Sequence, residues 1–404
     1  MADGSARRVK GAVVRHARGQ IYFPLRSSLT HCMTTTSENA TPEDRPGAAS
    51  TPGETPADQT AVRRRGRTAL VTGAYGFMGQ KLCRRLVAAG WDVRATDLAD
   101  AADGSLEGEH EHIDFVPADL TDPDTLGAAV EGVDDVFHTA ALFSYASHIP
   151  WERFEEINVE GTRNLCAALA DTDIDRFVHW STAGVYGPPD HDRLPVTEDH
   201  PKNPESNYDR SKWLQEQVVH EFHEEADLPA VVLRPAPVYG PGNTYGIAQL
   251  WLGIARGYLQ LFPAYCDYRI PLVHADDVIG ASLHLADHGD PGTAYNVVDD
   301  QKYRLRDVVS FVAAQVDSHI YMLPLGNRTY EALDSLRRFI PAIERRYRER
   351  GEDPPVERDA LFYLKGNYWL SNERLRETGY ELDYPGYRVG VTETLEWYRK
   401  EGML

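Results

Sequence analysis

Tyr208 and Lys212 stand four residues apart in the run Asn207-Tyr208-Asp209-Arg210-Ser211-Lys212. On a helix that spacing puts both side chains on one face, one turn apart. A cation held beside a phenol stabilises the tyrosinate, so the phenol can give or take a proton near neutral pH. Upstream, the run Val178-His-Trp ends at Ser181-Thr182. A hydroxyl at the C-terminal end of a central strand lies where open α/β sheets bind ligands. Thr182 can then donate a hydrogen bond to a substrate carbonyl while Tyr208 moves the proton.

The flanking segments alternate between strand and helix patterns from Arg67 onward. Apolar runs at 68–72, 91–96, 113–117, 135–139, 176–180 and 230–233 read as strands. Between them lie a helix ending at Gly90, a helix initiated around Thr121-Asp122-Pro123, a long helix over 151–170 and the helix carrying Tyr208. This alternation predicts an α/β fold with a Rossmann-type, doubly wound parallel sheet. Beyond Pro235 it breaks down. Residues 271–274 and 294–297 read as returns to the sheet, a helix starts at Ala275, and 330–350 reads as a charged amphipathic helix. The expected organisation is a tail at 1–66 with little to bury, a cofactor domain at 67–235, and a smaller C-terminal substrate-binding subdomain at 236–404. Segments 270–300 are expected back in the sheet. The basic first 32 residues read either as a targeting peptide or, more simply, as a start placed too early with Met33 as the initiator.

Gly73-Ala-Tyr-Gly76-Phe-Met-Gly79 follows the first strand and opens a helix. Glycines there let the backbone approach a pyrophosphate, and the helix start supplies free N–H donors and a positive dipole end. Asp97 ends the second strand, where a carboxylate accepts from an adenosine ribose and repels a 2′-phosphate. Neither Leu98 nor Ala99 offers a cation, so NAD is expected rather than NADP. Asp119 either contacts the adenine or caps the next helix.

These residues together resemble the extended short-chain dehydrogenase/reductases of the NAD-dependent epimerase/dehydratase family, over about residues 68–300. The resemblance rests on the glycine loop, Asp119-Leu120, His138-Thr-Ala-Ala141, Asn158-Val-Glu-Gly-Thr162 and Ser181-Thr182 through Val185-Tyr186-Gly187. It rests further on Tyr208/Lys212, Leu233-Arg-Pro-Ala-Pro-Val-Tyr-Gly-Pro-Gly242 and His274-Ala-Asp-Asp277. It implies a catalytic set of Thr182, Tyr208, Lys212 and Asn158. Tyr208 acts as general acid/base, Lys212 lowers its pKa and holds the nicotinamide ribose, Thr182 polarises the reacting oxygen, and Asn158 braces the site. Asn158 has a plainer alternative, bridging backbone groups. Implied cofactor contacts are Gly73, Tyr75, Gly76, Phe77, Met78 and Gly79, then Asp97, Asp119 and Leu120, then Ala140, Ala141, Pro235 and Val238. His138, His179 and His274 are expected to pack or hydrogen-bond rather than catalyse. Relatives often dimerise through the helices carrying Asn158 and Tyr208, so a homodimer is expected.

Within that resemblance, Ala183 and Gly184 stand where sugar-nucleotide dehydratases carry Asp-Glu, which disfavours elimination of water. Ile270 stands where sugar-nucleotide enzymes tend to place Arg, with Arg269 adjacent. Residues 247–262 and Leu142-Phe143 are apolar, and a diphosphate prefers more cations. The same apolar residues serve equally well as core or dimer interface. An oxidoreductase on a secondary alcohol or ketone, similar to a 3-hydroxysteroid dehydrogenase, is favoured over a nucleotide-sugar 4-epimerase. A non-catalytic dinucleotide sensor is disfavoured, since it needs no Tyr/Lys pair.

The 404-residue chain carries a net charge of −20, although residues 1–67 are net basic. Such a surface repels nucleic acid and anionic membranes. No apolar run is long enough to span a bilayer, and Cys32, Cys83, Cys166 and Cys266 have no metal spacing. A cytoplasmic protein with reduced thiols and a small-molecule substrate, without a metal, is expected. Only seven of its 42 basic residues are lysines. Together with the acidic surface this predicts adaptation to high intracellular salt, where screening removes self-repulsion. Thermal melts across a KCl series are therefore expected to rise into the molar range, and a flat or falling series counts against the idea.

Overall fold

Short apolar runs punctuated by glycine turns form strands buried on both faces. The computed structural model describes residues 66–106, 111–144, 149–188, 191–263, 269–323, 346–347, 350 and 368–404. The expected tail at 1–66, apart from Gly66, lies outside the described residues. So do Cys32, Cys266 and the expected helix at 330–350, apart from Arg346, Tyr347 and Arg350.

Strand β1 (Thr68–Thr72) feeds the glycine loop and helix α1 (Phe77–Ala88), which ends before Gly90 at φ +94°. β2 (Asp92–Thr96), β3 (Ile113–Phe115) and β4 (Asp135–His138) follow. Between β3 and β4, Asp122 caps a short 3-10 turn, Pro123–Thr125. Helix α2 runs Trp151–Phe154, then a π-helical stretch Glu155–Glu160, then Gly161–Leu169. β5 (Arg176–Trp180), α3 (Asn207–Ala226) and β6 (Ala230–Pro235) come next. Then come β7 (Val238–Tyr239), α4 (Ile247–Ala255), β8 (Leu261–Pro263), β9 (Arg269–Ile270) and β10 (Val273–His274). The described elements end with α5 (Ala275–His288), β11 (Thr293–Val297), β12 (Tyr303–Arg304), α6 (Leu305–Gln315), β13 (Tyr321–Leu323) and helices Glu373–Glu377 and α7 (Tyr387–Lys400).

Seven parallel strands lie in the order β11-β6-β5-β4-β1-β2-β3. The winding reverses between β1 and β4, which leaves a crevice beyond their C-terminal ends. Alternate residues of β1 face opposite layers. Ala69 and Val71 pack with Leu82 and Leu86 of α1 and Val278 of α5, whereas Leu70 packs with Leu165 of α2 and Val219 of α3.

Residues 271–274 do not rejoin this sheet. Val273 and His274 pair instead with Val238 and Tyr239, just after the chain leaves β6 at Pro235. Prolines at 235, 237 and 271 withhold ladder donors and keep the pairing two residues long. The return to the sheet is made by β11 alone. The apolar stretch 247–262 is mostly core: Trp251, Leu252, Ile254 and Phe262 pack with Val308 and Val312 of α6 and Leu395 of α7.

Within this second layer Asp299 is 5% exposed and its Oδ2 accepts from the phenols of Tyr303 (2.9 Å) and Tyr239 (3.4 Å). Burial pushes its carboxyl up to about 8, against the two phenol bonds and with help from Asp277. The folded protein therefore binds this proton more tightly than the unfolded chain. That contribution is complete below pH ~4 and lost as pH rises to about 8. Asp299→Asn, which keeps an acceptor without the charge, is expected to gain stability relative to the parent as pH rises from 5 to 8. Denaturant melts across that range check it, and a constant difference overturns it.

Candidate active site

Gly73, Gly76 and Gly79 wrap the start of α1, and each is glycine for a spatial reason. Gly73 has φ +70°, and a Cβ on it would lie 2.8 Å from Ala140 Cα. A Cβ on Gly79 would lie 2.1 Å from the Gly73 carbonyl oxygen, and one on Gly76 would lie 3.2 Å from the same atom. The loop can thus turn tightly between β1 and β4. No side chain caps α1 and no acidic residue stands in its first turn. An uncapped, positive helix end inside a glycine cradle fits a dinucleotide pyrophosphate. Asp97 straps the loop to β2: its Oδ2 accepts from Tyr75 N (3.0 Å) and its Oδ1 from Leu98 N (2.9 Å).

The crevice holds a cavity of about 270 Å³. Its wall contains the loop residues Gly73, Gly76, Phe77, Met78 and Gly79. It also contains Ala141, Thr182, Tyr208, Lys212, Pro235 and Val238. Eleven sequence-expected positions are thereby brought to one surface. Six are not on that wall. Tyr75 is buried, edge-on to Phe115 at 5.1 Å. Asp97 lies behind the loop. Asp119 accepts from Thr121 N and Oγ1 within its own turn (2.9 and 2.7 Å). Leu120 sits against Gly161, and its carbonyl accepts from Asn164 Nδ2 at 2.8 Å. Ala140 backs Gly73. Asn158, fully buried, accepts from Leu142 N (2.6 Å) and donates to Leu142 O (3.2 Å) and Ser211 Oγ (2.8 Å). It ties the β4 exit to α3 through the π-helical stretch, a distortion often found at functional sites.

Thr182 lies two residues beyond β5 and caps the 3-10 turn Ala183–Tyr186: its Oγ1 accepts from Gly184 N at 3.1 Å, which leaves its own proton for another acceptor. Tyr208 and Lys212 sit in the first turns of α3, which Ser206 caps through Asp209 N at 2.9 Å. Burial pushes the Tyr208 phenol well above its ordinary range, and the Asp209 carboxylate and Tyr245 push it further. Burial lowers the Lys212 ammonium to about 7, opposed by Glu216. The resemblance implies that Lys212 lowers the Tyr208 pKa; burial, the largest influence on the phenol, acts in the opposite direction and favours the protonated form. Histidines behave as packing groups. His138 bridges Thr72 Oγ1 (2.8 Å) and Thr162 Oγ1 (2.9 Å), and burial lowers it to about 3. The His179 ring lies 5.4 Å from it, tilted by 30°, and His274 Nδ1 accepts from Asp276 N at 3.2 Å.

Several site residues escape motif reasoning. Trp180, Tyr245, Ile247 and Tyr368 line the cavity from distant segments, and only the apolarity around 247 hinted at one of them. Asp209 presses on Gly184: a Cβ there would lie 1.9 Å from Asp209 Oδ1. At the cavity wall, Ser181 Oγ donates to Glu216, which also binds Arg234 (Nη2 to Oε2, 2.7 Å). Arg269 stacks its guanidinium on Trp369 at 4.7 Å, and Ile270 is core. Among the described residues, no group of three or more His, Cys, Asp or Glu could hold a metal ion, and no helix is long and apolar enough to cross a membrane.

The model of the NAD dependent epimerase/dehydratase family matches residues 69–298. The UDP-glucose 4-epimerase of Mycolicibacterium smegmatis is 31% identical over 66% of this chain and 90% of its own. The 2-alkyl-3-oxoalkanoate reductase of Stenotrophomonas maltophilia is 29% identical over 76% of this chain and 92% of its own. Among solved structures, that of gox2253 superposes with a TM-score of 0.68 at 26% identity, covering 84% of this chain and all of its own.

Two glycines make the geometry testable. Gly79→Ala forces the loop off Gly73 and is expected to weaken dinucleotide binding by tenfold or more, on the order of 1.4 kcal/mol. Gly184→Ala must displace the Asp209 carboxylate, and with it the start of α3, so it is expected to depress turnover more than dinucleotide affinity. Calorimetric titration of both variants checks this, and parental affinity in Gly79→Ala removes the cradle argument.

Proposed function

The chain belongs to the NAD dependent epimerase/dehydratase family, and from that premise we propose that it is an oxidoreductase acting at a secondary alcohol or ketone. The observation that carries this reading is the composition of the cavity wall. It joins Thr182, Tyr208 and Lys212 to the glycine-wrapped start of α1, yet Lys212 is the one cation among its described lining residues. A nucleoside diphosphate substrate calls for further cations. The 31% identity to a UDP-glucose 4-epimerase supports a second reading, a nucleotide-sugar 4-epimerase that retains its NAD.

The glycine loop and the first turn of α1 would hold the pyrophosphate of NAD, Lys212 the nicotinamide ribose, and Pro235 and Val238 the nicotinamide side of the pocket. When bound, NAD supplies a hydride acceptor or donor at the substrate carbon. The chain's own groups handle the oxygen. Thr182 donates a hydrogen bond from its hydroxyl to the substrate oxygen, while one of its lone pairs accepts from Gly184 N. Tyr208, protonated in its buried setting, gives its proton to that oxygen in reduction and takes one back in oxidation. Lys212 offsets the negative charge the phenol carries after giving up its proton. Asn158 positions rather than reacts, since its side chain is spent on Leu142 and Ser211. Residues 236–404 form the substrate-binding part in this reading, with Tyr245, Ile247 and Tyr368 as its contribution to the wall.

Incubation with NAD and apolar secondary alcohols is expected to release NADH. Interconversion of UDP-sugars without net NADH supports the epimerase instead. Tyr208→Phe is expected to cut turnover by roughly 10²–10⁴-fold and Thr182→Val by roughly 10²–10³-fold, with NAD affinity little changed. Full activity in Tyr208→Phe overturns the assignment and revives a non-catalytic role.

A further inference from the structure

Two aromatic rings stand over the Tyr208 phenol although both are substantially in water. Phe143 and Tyr245 are each 41% exposed. The Phe143 ring meets Tyr208 edge-on at 4.8 Å and 77°. Tyr245 leans on Phe143 at 5.5 Å, and Phe77 meets Tyr245 edge-on at 6.1 Å. The row leads from the glycine loop across the cavity mouth to the reacting phenol.

Neither ring rides on a loose loop. Leu142, next to Phe143, has both its N–H and its carbonyl held by Asn158. Tyr245 N donates to Asn243 Oδ1 (2.9 Å), Asn243 Nδ2 donates to Val238 O (2.8 Å), and Tyr398 of α7 donates to Asn243 O (2.7 Å). Two exposed rings on braced backbone form a ready-made apolar surface that covers itself when a flat ligand arrives. The rest of the described wall agrees with such a ligand. Trp180, Ile247, Pro237 and Tyr368 extend the apolar surface, and no Arg, Asp or Glu stands among the described lining residues. Arg269, the cation that could have met a diphosphate, is stacked on Trp369.

We propose that Phe143 and Tyr245 are the specificity-determining residues of this site, and that they select an uncharged substrate bearing a flat ring next to the reacting carbinol or carbonyl carbon. This rests on the oxidoreductase reading above. The ring lies against Phe143 and Tyr245 while the oxygen reaches Thr182 and Tyr208. A nucleotide-linked sugar gains little from that surface and leaves its diphosphate without a partner.

The test separates the two readings by using both turnover and binding. Turnover compares 1-phenylethanol with an acyclic secondary alcohol of equal carbon number, in protein saturated with NAD. Binding follows quenching of tryptophan fluorescence by acetophenone and by UDP-glucose in the NAD-loaded Tyr208→Phe protein, whose turnover is expected to be roughly 10²–10⁴-fold slower. The parent is expected to favour the ring by about tenfold. Phe143→Ala and Tyr245→Ala are each expected to reduce that preference, and acetophenone affinity, by roughly 3- to 10-fold, the size of one aromatic contact. Tyr245→Phe is expected to retain both. An unchanged ring preference and affinity in the two alanine variants overturns the proposal, as does UDP-glucose binding more tightly than acetophenone. If no alcohol yields NADH but acetophenone affinity still falls in the alanine variants, the aromatic selection stands and the oxidoreductase reading fails.

Discussion

The buried ion pair between Glu216 and Arg234 fixes the frame within which everything else in the site is placed. Both side chains are about 5% exposed, and the guanidinium meets the carboxylate through Nη2 at 2.7 Å and Nε at 3.1 Å. Glu216 stands one turn beyond Lys212 on α3, and Arg234 stands near the end of β6. Glu216 also accepts from Ser181, the residue before Thr182. One carboxylate thus ties the helix bearing Tyr208 and Lys212 to the segment after β5 that carries Thr182. Arg234 extends the tie to Tyr186 OH (3.0 Å) and Glu198 O (2.9 Å), which reach Asn296 on β11. Removing either charge would leave the other buried and unpaired, a loss on the order of 3–5 kcal/mol. Geometry at the site is therefore bound to the integrity of the sheet.

The same pair shapes the electrostatics. Burial alone drives the Lys212 amine toward neutrality, and the carboxylate one turn away is what opposes that drift. Tyr208 feels burial first, then Asp209, and both keep its proton on. A neutral phenol on the same helix face as an amine lowered to about 7 fits the proton transfer proposed above. Asp209 adds a geometric role, since it fills the space that Gly184 leaves open between the 3-10 turn after Thr182 and the start of α3.

How far the chain could be read without coordinates differs from part to part. The parallel sheet was legible because β1, β2, β4, β5 and β6 are short apolar runs spaced by glycine turns and helical periodicity. The glycine loop was legible because its three spaced glycines follow the first strand and open a helix, the setting in which they cradle a pyrophosphate. Failures have local causes. Residues 271–274 have strand composition, but prolines on both pairing segments confine them to two residues beside Val238 and Tyr239. The stretch 247–262 reads as substrate-facing or core equally well; packing against α6 and α7 made helix α4 and Phe262 core, left Tyr258 and Leu261 exposed, and brought Ile247 alone of the stretch to the cavity. Tyr75, between two cavity-lining glycines, turned inward to Phe115.

The sequence by itself determined the chemistry on offer: a phenol, an amine and a hydroxyl in motif spacing, with a loop suited to a dinucleotide. The Tyr208–Lys212 spacing and the glycine spacing lie within single elements and survive folding unchanged, and Thr182 is legible from its place just beyond a strand. Only the tertiary structure decided which side chains surround them. Phe143 and Tyr245 lie more than a hundred positions apart in the chain and share no periodicity, yet their rings meet at 5.5 Å above Tyr208. Arg269 stands beside the position expected of a diphosphate contact, but its guanidinium rests on Trp369. Contacts of that kind arise from how the second layer packs onto the crevice between β1 and β4, and no local pattern encodes them.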